Sequence, residues 1–598
     1  MLPTRSNLFF LAILVLCTTL ACALLSEGAS AQPTLANTQV AVPINSSIEP
    51  TLSSENAAEQ ISPTIVPKKV QGEYTIGSPV FMDLYLSPSG SDDPGNPGTE
   101  IGKPLRSLTE AWARLPVSTT TTGYRLNLLP GIYPCEPLPE DINNCINYFA
   151  NRWGTYAYPI MIQALNGFGS VTIRGGLNFN NIRYVYLQNL DLRGGGPLPT
   201  NVSGNNLLHI EQGDHLLLRG LTLLGPNCSN DTCNNLQEVL KVNQTQYLFV
   251  ENNVIGGAWH SSVDYFVVQY GHFLNNEIHT AGQWCMYIKG GSAYLDIAGN
   301  EFHHCQLGFQ SGQAANLAVM RSPWFHYETY GIKFVNNLLH DIPGVGLSAA
   351  GAYNTLFAYN TLYKVGISTD QGYPLVSMTY GERNCTPIDE IPNVIANCPL
   401  LVATGAWGPV METISLQAIP NRNVYIFNNL FYNPVPGQTL YSQFDIPGPI
   451  TPPLGFQNIP SPTTVDNNLV IAGNVIWNGP QNHPLGVEDS DRGCTPTNPS
   501  CNLTQLLADN AFHSLEPVLV NPSTGNYQLT AASAASLGIV TKSIPNFTWE
   551  AFTPSVPSGE LSNQVLFDRA GFPRQMPGIP GAYTIQTQSR VFVPLLER

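Results

Sequence analysis

The sequence predicts an all-β chain folded as a right-handed parallel β-helix, a solenoid with an N-terminal capping helix and loop insertions. Three observations carry that expectation: a composition poor in charge and rich in turn formers, an asparagine recurring at a near-constant step, and strand-like segments between the marks. Only 11% of the 598 residues are charged, while 52 glycines, 49 prolines and 10% aromatics suit turns and stacked strands better than amphipathic helices. A solenoid also accommodates this length in one domain, because it grows by adding coils rather than by enlarging a core.

The recurring mark is Asn-x-apolar after a short strand. It falls at Asn253, Asn276, Asn300, Asn337, Asn360, Asn429 and Asn474, with steps of 23, 24, 37, 23, 69 and 45 residues. The short steps set a coil of three strands and three bends, and the longer ones are coils with loops or unmarked coils between. Asparagine suits the position physically. It tolerates left-handed bends, and stacked amides hydrogen-bond along an interior ladder.

Taken in order, residues 1–31 read as an export signal, with Arg5, an apolar run Leu8 to Leu16 and the small-residue site Ala29-Ser30-Ala31. A competing reading makes Cys22 the lipidated cysteine of an envelope lipoprotein. Residues 32–72, rich in Ser, Thr and Pro, read as a disordered linker. Residues 73–545 are assigned to the β-helix, with a strand near Asp83 and a short helix ending near Trp112 as its cap, and 546–598 to a closing segment. Ten cysteines beyond the leader fall into five neighbouring pairs: Cys135/Cys145, Cys228/Cys233, Cys285/Cys305, Cys385/Cys398 and Cys494/Cys501. Disulfides in an oxidising compartment are expected, and the Cys285/Cys305 spacing, near one coil, suits a staple between stacked coils. The net charge of −16, without a basic cluster, argues against nucleic acid. No transmembrane segment is expected after the signal, and the chain is expected to be a secreted or envelope monomer.

These Asn-marked coils resemble the pectate-lyase-like right-handed β-helix superfamily over roughly residues 83–480. Closing motifs such as Asp568-Arg569-Ala570-Gly571 and Pro580-Gly581-Ala582-Tyr583 resemble those of its secreted bacterial members. The resemblance implies a polysaccharide or cell-surface glycan as partner. It does not imply one reaction, because the superfamily holds lyases, hydrolases, epimerases, tailspikes and adhesins.

Site candidates follow from rare residue types on coils. Lys289, one of eight lysines, sits beside Gly290-Gly291, in a layout similar to alginate- and chondroitin-type lyases, where a strand lysine acts as base. Gln310 stands where the resemblance implies an arginine, and cannot supply a cation to a developing enolate. The 37-residue step implies an insertion holding Arg321, Trp324, His326, Tyr327, Glu328 and Tyr330. Trp324, Tyr327 and Tyr330 suit stacking on sugars, His326 and Glu328 proton transfer, and Arg321 a carboxylate. The alternative is a plug packed on the helix wall.

Asp264 and Lys241 share a column by the repeat and read either as a cross-coil ion pair or as substrate-binding groups. Asp264 is also the expected ligand if calcium serves as cofactor, although no acidic loop of calcium spacing exists. His303-His304 is not read as a metal pair, since adjacent strand residues face opposite ways. The function expected is lyase-type cleavage of a uronate-containing glycan. A glycan-binding adhesin, or a glycoside hydrolase using Asp264 and Glu328, stands as the alternative.

Overall fold

In the computed structural model, residues 72–134, 146–194, 206–225, 236–368, 372–385, 394–410, 416–438, 440–456, 458–537, 541–550 and 561–585 are described. The expected leader, Cys22, the linker before Gly72, and Cys135, Cys145, Cys228 and Cys233 lie outside these residues. Within them strand is the main regular structure, and the strands of the large sheet pair in parallel, each with the one a coil away. Glu238–Glu251 pairs with Ser261–Leu274, which pairs in turn with Glu277–Lys289 and Ser292–Ala298. Glu301–Ser311 follows on Glu277–Lys289. The stacked coils are those of a parallel β-helix, the fold that the superfamily resemblance implies.

Alternation within each strand decides what faces the interior. On one face Leu240, Val263, Met286, Phe309, Leu347, Val376 and Phe444 stand in register and are all buried. The helix Leu108–Ala113, capped by the Ser107 hydroxyl, lays Trp112 against Phe149 and Phe179 in this core. Described parts of the closing segment lie back on earlier coils. Arg569 donates to the Asn300 carbonyl at 2.6 Å, and the Arg574 guanidinium lies 3.9 Å from the Tyr359 ring centre.

All seven marked asparagines are buried and join into one ladder. Each amide nitrogen donates to the next amide oxygen, at 2.8 Å from Asn253 to Asn276 and 3.2 Å from Asn337 to Asn360. The ladder has an eighth rung, Asn510, which follows the helix Leu503–Asp509 rather than a strand. Left-handed backbone falls on the residue before the rung, at Asn252, Asn275, Gly299, Asn336, Tyr359, Asn428 and Gly473, with φ between 54° and 72°. Asn337→Ala would remove the acceptor of the Asn300 backbone and side-chain amides and the side-chain donor to the Ile297 carbonyl, while the Asn360 oxygen keeps only the Asn337 backbone N–H. We expect a loss of about 3 kcal/mol, from several orphaned buried groups at ~1–3 kcal/mol each, read as a lowered denaturation midpoint.

Cys285 and Cys305 form a disulfide between consecutive coils, with Cα atoms 5.4 Å apart. Cys385–Cys398 and Cys494–Cys501 close as the spacing suggests. No helix among the described residues is long and apolar enough to cross a membrane.

Candidate functional site

On the outward side of the same face, Lys241, Asp264, Tyr287 and Gln310 occupy one position of four successive coils, each 23 residues after the last. Parallel pairing holds such neighbours ~4.8 Å apart. The Lys241 ammonium bonds Asp264 Oδ2, and the Tyr287 hydroxyl donates to that same oxygen at 2.6 Å. Asp264 Oδ1 is buried and has no hydrogen-bond partner among the described residues. Lys289 is half-buried two residues beyond Tyr287, in register with Phe266. Its Nζ lies 4.7 Å from the Tyr287 ring centre and donates to Gln313 Oε1 at 3.2 Å. Glu238, which opens its strand, and His260, in the bend before Ser261–Leu274, approach each other at 3.7 Å.

Burial and charge pull these groups in opposite directions. Burial opposes ionisation of Asp264, but the ammoniums of Lys241 and Lys289 overcome it and hold the carboxyl below its usual range. Burial also works against Lys241, yet Asp264 and Glu238 raise it above an ordinary lysine. For Lys289 burial prevails and, with Lys241's charge, lowers it despite Asp264. Glu238 is pushed up to about 7 by burial, against the pull of Lys241, and His260 is pushed down to about 4 by the same cause. The cluster therefore offers a lysine eased toward its neutral form, a carboxylate held ionised and a carboxyl that stays protonated up to neutrality. This is equipment for moving protons.

Gln310 lies in line with Tyr287 rather than Lys289, and its amide is spent on the Gly312 carbonyl at 2.7 Å. Two coils before Lys289, Arg321 donates to Gln244 Oε1 at 3.1 Å, so it replaces no cation beside that lysine. The insertion does not present its aromatic faces as expected. Trp324, Tyr327 and Tyr330 are buried in one apolar cluster with Tyr353, Trp407, Ile419 and Phe456. The Tyr330 hydroxyl accepts from the backbone N–H groups of His326 and Tyr327, which leaves that ring nothing to offer a sugar. Glu328 is likewise enclosed. Its Oε1 accepts from Arg383 at 2.6 and 3.0 Å, and its Oε2 from the Gly290 N–H at 2.9 Å. A carboxylate so engaged moves no protons, and the insertion instead buttresses the bend that carries Lys289. His326, pushed down to about 4 by burial, lies at the edge of a separate cleft.

Calcium does not suit Asp264. An ammonium already occupies Oδ2, Lys289 adds a second positive charge nearby, and Glu238 stays protonated up to neutrality. His303 and His304 do converge, against the alternation argument, with their Nδ1 atoms 2.7 Å apart. His304 has left-handed backbone at φ 55°, which turns its ring toward its neighbour. Among the described residues, no group of three or more His, Cys, Asp or Glu is placed to hold a metal.

Glu238, His260 and Tyr287 were not singled out from sequence. The 23-residue step from Lys241 through Asp264 reaches Tyr287 directly, so that signal was present. Glu238 opens a strand in register with Ser261, one step onward, but carries no mark of its own, and His260 lies in the bend before that strand.

No protein-family model and no curated protein matches the chain. Among solved structures it is similar to a complex of XylC with xylose, at 9% identity and a TM-score of 0.40, over 84% of this chain and 98% of that one. A rhamnogalacturonan lyase is similar at 12% identity and 0.35, over 66% and 87%. A family 6 polysaccharide lyase from Pseudopedobacter saltans is similar at 10% identity and 0.32, over 69% and 93%.

Proposed function

We propose that this chain is an exported right-handed β-helix protein that acts on polysaccharide, by lyase-type cleavage of a uronate-containing glycan. The observation that carries the reading is Lys289, a half-buried amine shifted toward its neutral form on the face where Lys241, Asp264 and Tyr287 gather. Neutral Lys289 takes the proton α to the uronate carboxylate, the electron pair forms a ring double bond, and the glycosidic C–O bond breaks. Glu238 is the acid available to the leaving oxygen, and Lys241 faces the charge that develops on the carboxylate. Right-handedness follows the strong preference of connections between parallel strands. The leader and the three described disulfides suit export. We keep the division into leader, linker, β-helix with capping helix and closing segment, and the monomer.

A second reading, non-catalytic glycan binding, draws support from Asp264 and Tyr287 being enclosed and bonded to each other. The hydrolase pair of Asp264 and Glu328 loses its second member to Arg383. Incubating the chain with alginate, pectate, chondroitin and neutral glycans separates the three. The lyase reading expects ultraviolet absorbance from unsaturated ends with one acidic polymer. New reducing ends without that absorbance, or retention without cleavage, would overturn it.

A further inference from the structure

On the side of the coils that precedes the Lys289 face, a column of histidines runs along the axis. His279, His303 and His340 stand in register on consecutive coils, and their rings stack with centres 5.3 and 4.9 Å apart. The residue after each one turns into a left-handed bend: Thr280, His304, Asp341 and, a coil further, Lys364 have φ between 51° and 55°. His304 is thus turned by the fold itself, at a bend that four consecutive coils share, and its ring meets that of His303 edge-on. The two Nδ1 atoms come to 2.7 Å, with His304 exposed and the His303 side chain 17% exposed. The disulfide from Cys305, the next residue, to Cys285 ties this bend to the preceding coil.

Donor chemistry decides what such a pair takes. His303 donates from Nε2 to Glu277 Oε1 at 3.1 Å, which leaves the lone pair of its Nδ1 pointing at His304. A carboxylate on the far nitrogen is the support that fixes tautomer and ring direction in metal-binding imidazoles. When His304 carries its proton on Nε2, both Nδ1 lone pairs face one point, and a cation there displaces only the hydrogen bond between the rings. At metal–nitrogen bonds of about 2.0–2.1 Å, a right-angled chelate spans about 2.9 Å and a tetrahedral one about 3.4 Å, so a pair at 2.7 Å suits tetragonal Cu²⁺ rather than tetrahedral zinc. The neighbouring rings are otherwise engaged. His340 spends both nitrogens on Glu301 and Asp341, and His279 spends Nδ1 on the Thr280 hydroxyl. Glu277, beside His303, and Asp341, in the bend one coil on from His304, supply negative charge for a dication. Among the described residues no third His, Cys, Asp or Glu is placed to join the pair, so water completes the coordination.

We propose that His303 and His304 form a chelating site for a tetragonal divalent cation, taking Cu²⁺ in preference to Zn²⁺. The site does not depend on the chemistry of Lys289. The test titrates Cu²⁺ and, separately, Zn²⁺ into the metal-stripped full chain in a non-coordinating buffer near neutral pH, followed by calorimetry and electron paramagnetic resonance. One Cu²⁺ per chain is expected, coupled to two nitrogens, with Zn²⁺ bound at least about tenfold more weakly. His304→Ala should abolish the site, because one imidazole makes no chelate. Glu277→Gln removes no metal ligand and should weaken Cu²⁺ by about 10- to 100-fold, as loss of the support behind a ligating imidazole does. His215→Ala, on an earlier coil, should bind as wild type does. Far-ultraviolet dichroism and the thermal midpoint establish that each variant is folded, and Glu277→Gln decides the matter if His304→Ala is not. No saturable Cu²⁺ binding, a spectrum with a single nitrogen, Zn²⁺ held as tightly as Cu²⁺, or undiminished binding by either folded variant would overturn the proposal.

Discussion

Arg383→Ala is expected to destabilise the chain by about 3–5 kcal/mol, the cost of leaving a buried charge without its partner. Both side chains of the Arg383–Glu328 pair are wholly buried. Arg383 also donates to the backbone carbonyls of Trp407 at 2.7 Å and Phe325 at 3.1 Å, so truncation removes a donor from three acceptors at once, of which the Phe325 carbonyl keeps the Trp407 N–H. These contacts tie the insertion to the three-stranded sheet of Ala314–Asn316, Gly381–Asn384 and Leu416–Ile419. Through the Gly290 N–H on Glu328, they also fix the bend next to Lys289. A large drop in denaturation midpoint is therefore expected together with reduced activity or binding. Replacing both partners by near-isosteric neutral residues, Arg383→Met with Glu328→Gln, should recover much of the loss, because no uncompensated charge remains. A change below about 0.5 kcal/mol in the single variant, the size usual for exposed sites, would show that the pair is open to water.

The coil architecture was legible because it is periodic. A ladder needs the same amide at the same place in each coil, so Asn253 to Asn474 announce themselves, and the step that links them also aligns Lys241 with Asp264. Asn510 escaped because a helix precedes it where every other rung follows a strand. The insertion was legible as an insertion but not in its orientation. Trp324, Tyr327 and Tyr330 have the same composition whether they face sugar or core, and their direction is set by Arg383, Trp407 and Phe456, dozens of residues onward. Glu328 shows the same limit: nothing local to it reveals that its partner lies 55 residues away. His304 failed for a backbone reason, since a left-handed histidine breaks strand alternation and carries no mark of Gly or Asn chemistry. Electrostatic character was equally hidden. Burial moves Lys289 and Glu238 in opposite senses along the scale, and burial is a property of the assembled coils.

Lys289→Ala is expected to lower turnover of the cleaved polymer by about 10²- to 10⁴-fold, the usual contribution of a positioned base. Lys289→Arg should be nearly as inactive, because a guanidinium keeps its proton and cannot accept another. The pH profile gives a sharper test than either loss. A lysine acting as base works in its neutral form, so the rate must rise with pH through its pKa, and burial sets that rise below the ordinary lysine range. Asp264 raises the pKa of Lys289 by stabilising its ammonium. Asp264→Asn should accordingly move the rising limb to lower pH, a shift that a merely structural aspartate would not produce in that direction. A limb that stayed in place, or full turnover by Lys289→Ala, would remove Lys289 from the reaction and leave binding as the use of this face.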